Sequence, residues 1–369
     1  MTLGTHIGHV NAPSAHGTPP VLPDERRPRV GLWVPVLAAA LLVSLVLAVG
    51  IGPLTVAPGE VAAVVHARLT GRAPAAGSTH DTVVWLLRVP RVLVGALVGA
   101  VLAAAGAALQ AVVRNQLADP YLLGISSGAS LGAALVLTAG LGSLVGAVTL
   151  AAGAFGGALL ALALVLVLVG RGRGLSSHRL VLAGLTVGYF LAAATNLVVV
   201  LADSRDAVRA VTFWTLGSLG RADWGDLPVL ATVGLVTLGV LVLRSRRLDA
   251  IGLGDDVARS LGTDPDRLRR QVAAVSALGV AAAVAVSGSI GFVGLVVPHL
   301  ARRLVGATHR LVVPASALLG ALVLVWADTL ARTVLAPREI PLGILTALLG
   351  TPLLMALVRR RLRRPSVDG

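Results

Sequence analysis

Ten apolar runs, at about residues 32–54, 92–113, 121–139, 144–169, 180–201, 227–243, 271–286, 292–304, 311–330 and 340–358, are separated by stretches rich in Arg, Gly, Pro and acid. Between Val92 and Val113 only Gln110 carries a hydrogen-bonding side chain. At 1.5 Å per residue a helix of this length matches the roughly 30 Å hydrocarbon core of a bilayer, so the run must span. Gly95, Gly99, Ala103 and Ala107 recur every four residues and strip one side of this helix almost bare. A second helix can therefore approach its backbone closely. Gly128 and Gly132, Gly142 and Gly146, Gly153 and Gly157, and Gly184 and Gly188 repeat that spacing later in the chain. The pattern predicts an all-α membrane protein with ten transmembrane helices in a compact bundle.

Arginine placement orients the bundle. With ten spans and both termini on the cytoplasmic side, the inner segments collect more than two thirds of the 31 basic residues, including Arg114, Arg244, Arg246, Arg247, Arg259 and the C-terminal cluster. That bias is the one expected of cytoplasmic segments. The run at 292–304 is too short to span unaided, but omitting it would put the C-terminal arginines outside. Residues 1–29 read as a disordered cytoplasmic tail, 30–358 as the transmembrane domain and 359–369 as a basic cytoplasmic tail.

Composition narrows the function. Apolar residues make up 56% and charged residues 13% of the chain, too few charges for an ordinary soluble protein. A net charge of +14 raises nucleic acid as a partner, but aromatics are only 3% and no soluble basic domain is present to hold phosphates. The chain has no cysteine, and all its Lys+Arg positions are Arg. A Walker A lysine is thereby excluded, and neither thiol chemistry nor a recognisable hydrolase motif is available. His6, His9 and His16 read as parts of the polar tail and His299 as structural, so no metal and no cofactor is expected. Of the acidic residues only Asp328 lies in an apolar run, four residues before Arg332 with which it can pair. A single paired carboxylate is poor material for the proton or ion relay of a secondary carrier. The energy for any transport must then come from another protein.

Two blocks carry a resemblance. LRVPR at 87–91, RNQLADP at 114–120 and GISSGA at 124–129 follow one another in order, and AVSGSIGFVGLVVPHLARRLVG at 285–306 forms a second signature, with ADTLAR and EIPLGILTALLGTPLL beyond it. Together they resemble the permease subunit of importers that carry ferric siderophores, haem or cobalamin, over about residues 32–361. The resemblance implies a permease without its own ATPase site, in a bacterial cytoplasmic membrane, working as a homodimer or with a related permease. It further implies cytoplasmic ABC ATPase subunits and an extracytoplasmic substrate-binding protein as partners, with a ferric siderophore as preferred cargo.

The same resemblance assigns sites. Arg88, Arg91 and Arg332 match arginines that receive acidic side chains of the binding protein. Asn115 and Leu117 in the elbow, with Ser177 and His178, match cytoplasmic gate positions between two permease copies. Gln116 stands where the family usually has Pro, which restores an N–H and is expected to loosen the turn. The connection 244–270 matches the ATPase coupling segment: Asp255 and Asp256 open a short helix that Gly262 can end, and Ile251, Leu253, Val257 and Leu261 supply apolar contacts. The loop 213–224 matches the family's extracellular segment before the sixth span, where Arg221 is uncommon and suits an anionic ligand.

Overall fold

The computed structural model describes residues 30–71, 79–139, 147–170 and 177–362, and all regular structure among them is helical. The N-terminal tail, Gly142, Gly146 and the end of the C-terminal basic tail lie outside the described residues. Each of the ten apolar runs falls on a helix. These helices are α1 (Trp33–Gly50), α3 (Thr82–Val113), α4 (Ile125–Thr138), α5 (Ala147–Val169), α6 (Ser177–Val200), α8 (Asp226–Leu243), α11 (Pro265–Ser287), α12 (Val293–Val305), α13 (His309–Thr333) and α14 (Leu342–Leu362). Shorter connecting helices are α2 (Pro58–Leu69), α7 (Arg205–Thr215), α9 (Ser245–Gly252) and α10 (Asp255–Ser260). Seven helices among the described residues are long and apolar enough to cross a bilayer. The three that fall short of this are α4, α12 and α14, whose apolar part ends at Ala356.

Helix α3 is the axis of the bundle. Its apolar window is 83% buried within the chain, against 22% for α1, α5 and α8. It packs most extensively on α13, and also on α11, α8 and α12. The close approach needs glycine: a Cβ on Gly99 would run into the backbone of Gly320 on α13, and one on Gly106 into the backbone of Gly294 on α12. Likewise Gly128 faces Gly157 and Gly132 faces Gly153, which joins α4 to α5 backbone against backbone. In lipid there is no hydrophobic drive between helices, so such contact supplies the packing energy that water would otherwise provide.

Helix α3 begins well before the predicted run. Thr82–Arg88 forms a π-helical stretch, with the Val89 N–H bonded to the Val84 carbonyl. Pro90 has no N–H to give to the turn behind it, so the ordinary ladder is interrupted there and a wider turn takes its place. This turn aims Arg88 and Arg91.

Three breaks in the helices bind one another. Ser218 N donates to Ser287 O at 2.8 Å, and Leu342 N and Gly343 N donate to Gly217 O and Leu216 O, each at 2.9 Å. Tyr121 completes the junction: its hydroxyl accepts from Ile290 N at 2.9 Å and donates to Ile290 O at 3.1 Å. Gly288 and Phe292 both adopt positive φ at the α11–α12 break. Irregular backbone inside a membrane bundle persists only where its polar groups are met in this way.

Candidate functional sites at the two ends of the bundle

At the end carrying α2 and α7, the three predicted docking arginines meet, but not as free cations. Arg88 is 5% exposed and donates to the carbonyls of Val49 and Gly50, both at 3.0 Å, and of Leu54. Arg332, 4% exposed, donates to Ala48 O. The last carbonyls of α1 have no helical partners, and these two guanidiniums satisfy them. Arg88 and Arg332, expected to receive acidic side chains of a binding protein, are buried in this chain and cap α1.

Arg91 has a different role. Its Nε and Nη2 reach the Asp328 carboxylate at 2.8–3.0 Å, and Nη1 and Nη2 reach Glu339 at 2.8 and 3.0 Å. The predicted Arg332–Asp328 pair exists at 3.7 Å, but Arg91 is the nearer partner. Arg91 holds the Glu339 carboxyl below the usual carboxylate range by its hydrogen bond. Sequence reasoning missed this pair because its members are 237 positions apart. The one usable signal was Asp328 itself, a buried carboxylate that required a cation from some helix.

Arg221 is exposed and lines a cavity of about 360 Å³ together with Phe213, Trp214, Ser218, Ser287 and Glu339. Asp226 also lines it, so the cavity presents both signs of charge rather than a purely cationic face. The loop that carries Arg221 is tied to the start of α3, where Trp224 Nε1 donates to Trp85 O at 2.7 Å and the two indoles lie 4.7 Å apart.

The opposite end gathers the elbow, α9 and α10. Arg114 ends α3 in the left-handed conformation. Asn115 Oδ1 then accepts from Leu117 N at 2.9 Å, and Asn115 O accepts from Ala118 N at 3.0 Å. This side-chain turn closes the elbow without the proline that Gln116 replaces. Leu117 and His178 are exposed, and Ser177 Oγ donates to Val112 O at 3.1 Å. The four predicted gate residues thus sit at one end of the molecule, with Ser177 bonded directly to the end of α3.

In the coupling segment the predicted set divides. Leu253, Val257 and Leu261 are exposed, the first at 68%, and recur every four residues. Asp256 is also exposed and pairs with Arg259 at 2.9 Å. Ile251 is fully buried and anchors the segment instead of presenting a contact. Asp255 turns inward, where it forms an ion pair with Arg114 and accepts two hydrogen bonds from Arg269 at 2.8 and 3.0 Å.

A second cavity, of about 430 Å³, was not foreseen. Asp119, Tyr121, Ser127, Gly188, Tyr189 and Phe292 line it between the elbow and α6. Asp119 caps the short turn after it by accepting from Tyr121 N at 2.8 Å. Burial pushes its carboxyl up to about 6, against the opposing pull of that hydrogen bond. Among the described residues no three His, Asp or Glu side chains converge as metal ligands.

A helical bundle with a nearly buried central helix and, among the described residues, seven helices long and apolar enough to cross a bilayer has the build of a multi-pass membrane protein. A family model described as the FecCD transport family matches residues 40–360. The chain belongs to that family and is an ABC importer permease, a multi-pass protein of the bacterial cytoplasmic membrane. It is 42% identical to the hemin transport system permease protein of Yersinia pestis over 289 residues, covering 77% of this chain and 86% of that one. It is 38% identical to an Fe(3+)-citrate import system permease protein of Bacillus subtilis, over 77% of this chain and 83% of that one. Identity to the cobalamin import system permease protein of Halobacterium salinarum is 40%, over 77% and 75%. Among solved structures, an inward-facing transporter of metal-chelate ABC type aligns over 89% of this chain and 99% of its own, with a TM-score of 0.78 and 31% identity.

Proposed function

We propose that this chain is the permease of a binding-protein-dependent importer that carries a ferric siderophore or similar anionic iron chelate inward. Two copies, or this chain and a related one, form the path, and two cytoplasmic ABC ATPase subunits drive it. The observation that supports the cargo reading is the family match over residues 40–360 together with relatives that include Fe(3+)-citrate permeases, and the exposed Arg221 in a cavity at the α2–α7 end adds one cation that an anionic chelate could meet. In this reading all ten helices cross, both termini are cytoplasmic, and the short α12 reaches depth through the break at 288–292.

The end with α2 and α7 is then the outer face. Acidic side chains of the binding protein meet it around Arg91 and Arg221, with Arg88 and Arg332 supporting that corner from below. The inner face presents Leu253, Asp256, Val257 and Leu261 to the ATPase, and Asn115, Leu117, Ser177 and His178 form the gate between the two copies. No cofactor of its own is required.

Cargo is tested by uptake of labelled ferric siderophore, haem and cobalamin in cells with and without the chain. Loss of ferric chelate uptake alone is the expected result. Loss of cobalamin or haem uptake with ferric chelate unaffected would transfer the reading to that cargo.

A further inference from the structure

The inward turn of Asp255 separates it from the exposed residues of its segment. Asp255 Oδ1 and Oδ2 accept from both Nη atoms of Arg269, and the same carboxylate pairs with Arg114. Arg269 is buried at the start of α11, and its Nε donates to Val112 O at 3.2 Å. Ser177 Oγ, at the start of α6, donates to that same carbonyl. Arg114 is the left-handed residue at which α3 ends and the elbow holding Asn115 and Leu117 begins. One carboxylate therefore links α10 to the end of α3, the elbow, α11 and, through Val112, α6.

We propose that Asp255 is a positioning residue: it carries displacement of the exposed Leu253–Leu261 face to the elbow and to Ser177, and so couples the segment to the gate residues. The proposal rests on the importer reading above. Several features of the geometry support a rigid link. Two parallel hydrogen bonds from a guanidinium fix orientation as well as distance. A buried guanidinium held by a carboxylate and a carbonyl has few other arrangements open to it. Arg269 also pairs with Asp266 on its own helix, at the longer distance of 3.6 Å. By contrast, the exposed Asp256–Arg259 pair joins two residues of α10 itself.

The test uses the complete complex in proteoliposomes, with whichever of labelled ferric citrate, haem or cobalamin the wild-type complex takes up best. Cargo transported per ATP hydrolysed is the measured ratio. In Asp255→Asn the ATPase is expected to co-purify and keep hydrolysing, while the ratio falls roughly tenfold, the size of a typical coupling between sites. Asp255→Glu restores the ratio, and Arg114→Gln, which leaves the buried pair intact, lowers it roughly threefold. A residue that only stabilised the fold would reduce yield and both activities together without moving the ratio. A wild-type ratio in assembled Asp255→Asn overturns the proposal. If Asp255→Asn fails to assemble, a wild-type ratio in Arg114→Gln overturns it instead. A wild-type complex that binds no ATPase, or takes up cargo without ATP, overturns the importer reading and the link with it.

Discussion

Arg91 illustrates how a single side chain sets one corner of the bundle. Its guanidinium lies between a buried carboxylate, Asp328, and a partly exposed one, Glu339. Removing it in Arg91→Ala takes away every hydrogen bond that Arg91 gives the buried Asp328 and leaves it, among the described residues, the more distant Arg332 at 3.7 Å. The expected loss is about 3–5 kcal/mol, read as thermal unfolding in detergent, whereas Glu339→Gln should cost about 1 kcal/mol or less. Equal losses in the two variants would mean that Asp328 does not depend on Arg91. Asp119 gives a pH signature. Its native carboxyl titrates near 6, above the roughly 3.9 of an unfolded aspartate, so the native state binds the proton more tightly. Stability should fall as pH rises from about 4 to about 6 and level off above that. Asp119→Asn keeps an acceptor for Tyr121 N and should flatten that fall, as pH-dependent unfolding of the two proteins would show.

At the scale of elements, glycine contacts decide which helices touch. Gly106→Val places side-chain atoms against Gly294 and should cost about 1–3 kcal/mol, whereas Gly239→Ala on α8, with nothing within 4 Å, should be neutral or slightly stabilising in the same unfolding measurement. On the proposed ATPase-facing segment, changing Leu253, Val257 and Leu261 together to Asp should release the ATPase on co-purification without affecting membrane insertion, because all three are exposed. Retention of the ATPase would place its contact elsewhere. The helices were legible in the sequence because runs of apolar residues and four-residue glycine spacing are local signals. Their partners were not, since Gly99 meets Gly320 and Arg91 meets Asp328 across most of the chain. The burial of Arg88 and Arg332 was not legible for the same reason. Sequence shows that Arg88 and Arg332 are charged, but not that the final carbonyls of α1 lie within their reach. Asp255 and Asp256 are adjacent and chemically identical, and only the fold separates the inward one from the outward one.

For the whole molecule, the central claim is that transport is powered from outside this chain. The lone carboxylate in an apolar run is held by Arg91 and Arg332, an arrangement suited to fastening helices and ill suited to passing protons. The FecCD family match covers residues 40–360, the part of the chain that contains every helix from α2 to α13. The most direct measurement is uptake of a labelled ferric chelate into proteoliposomes holding the permease, its ATPase and its binding protein, with ATP and an ion gradient supplied separately. Uptake that requires ATP and all three proteins, and is indifferent to the gradient, is the predicted result. Uptake by the permease alone down a proton or sodium gradient, with no nucleotide present, would contradict it.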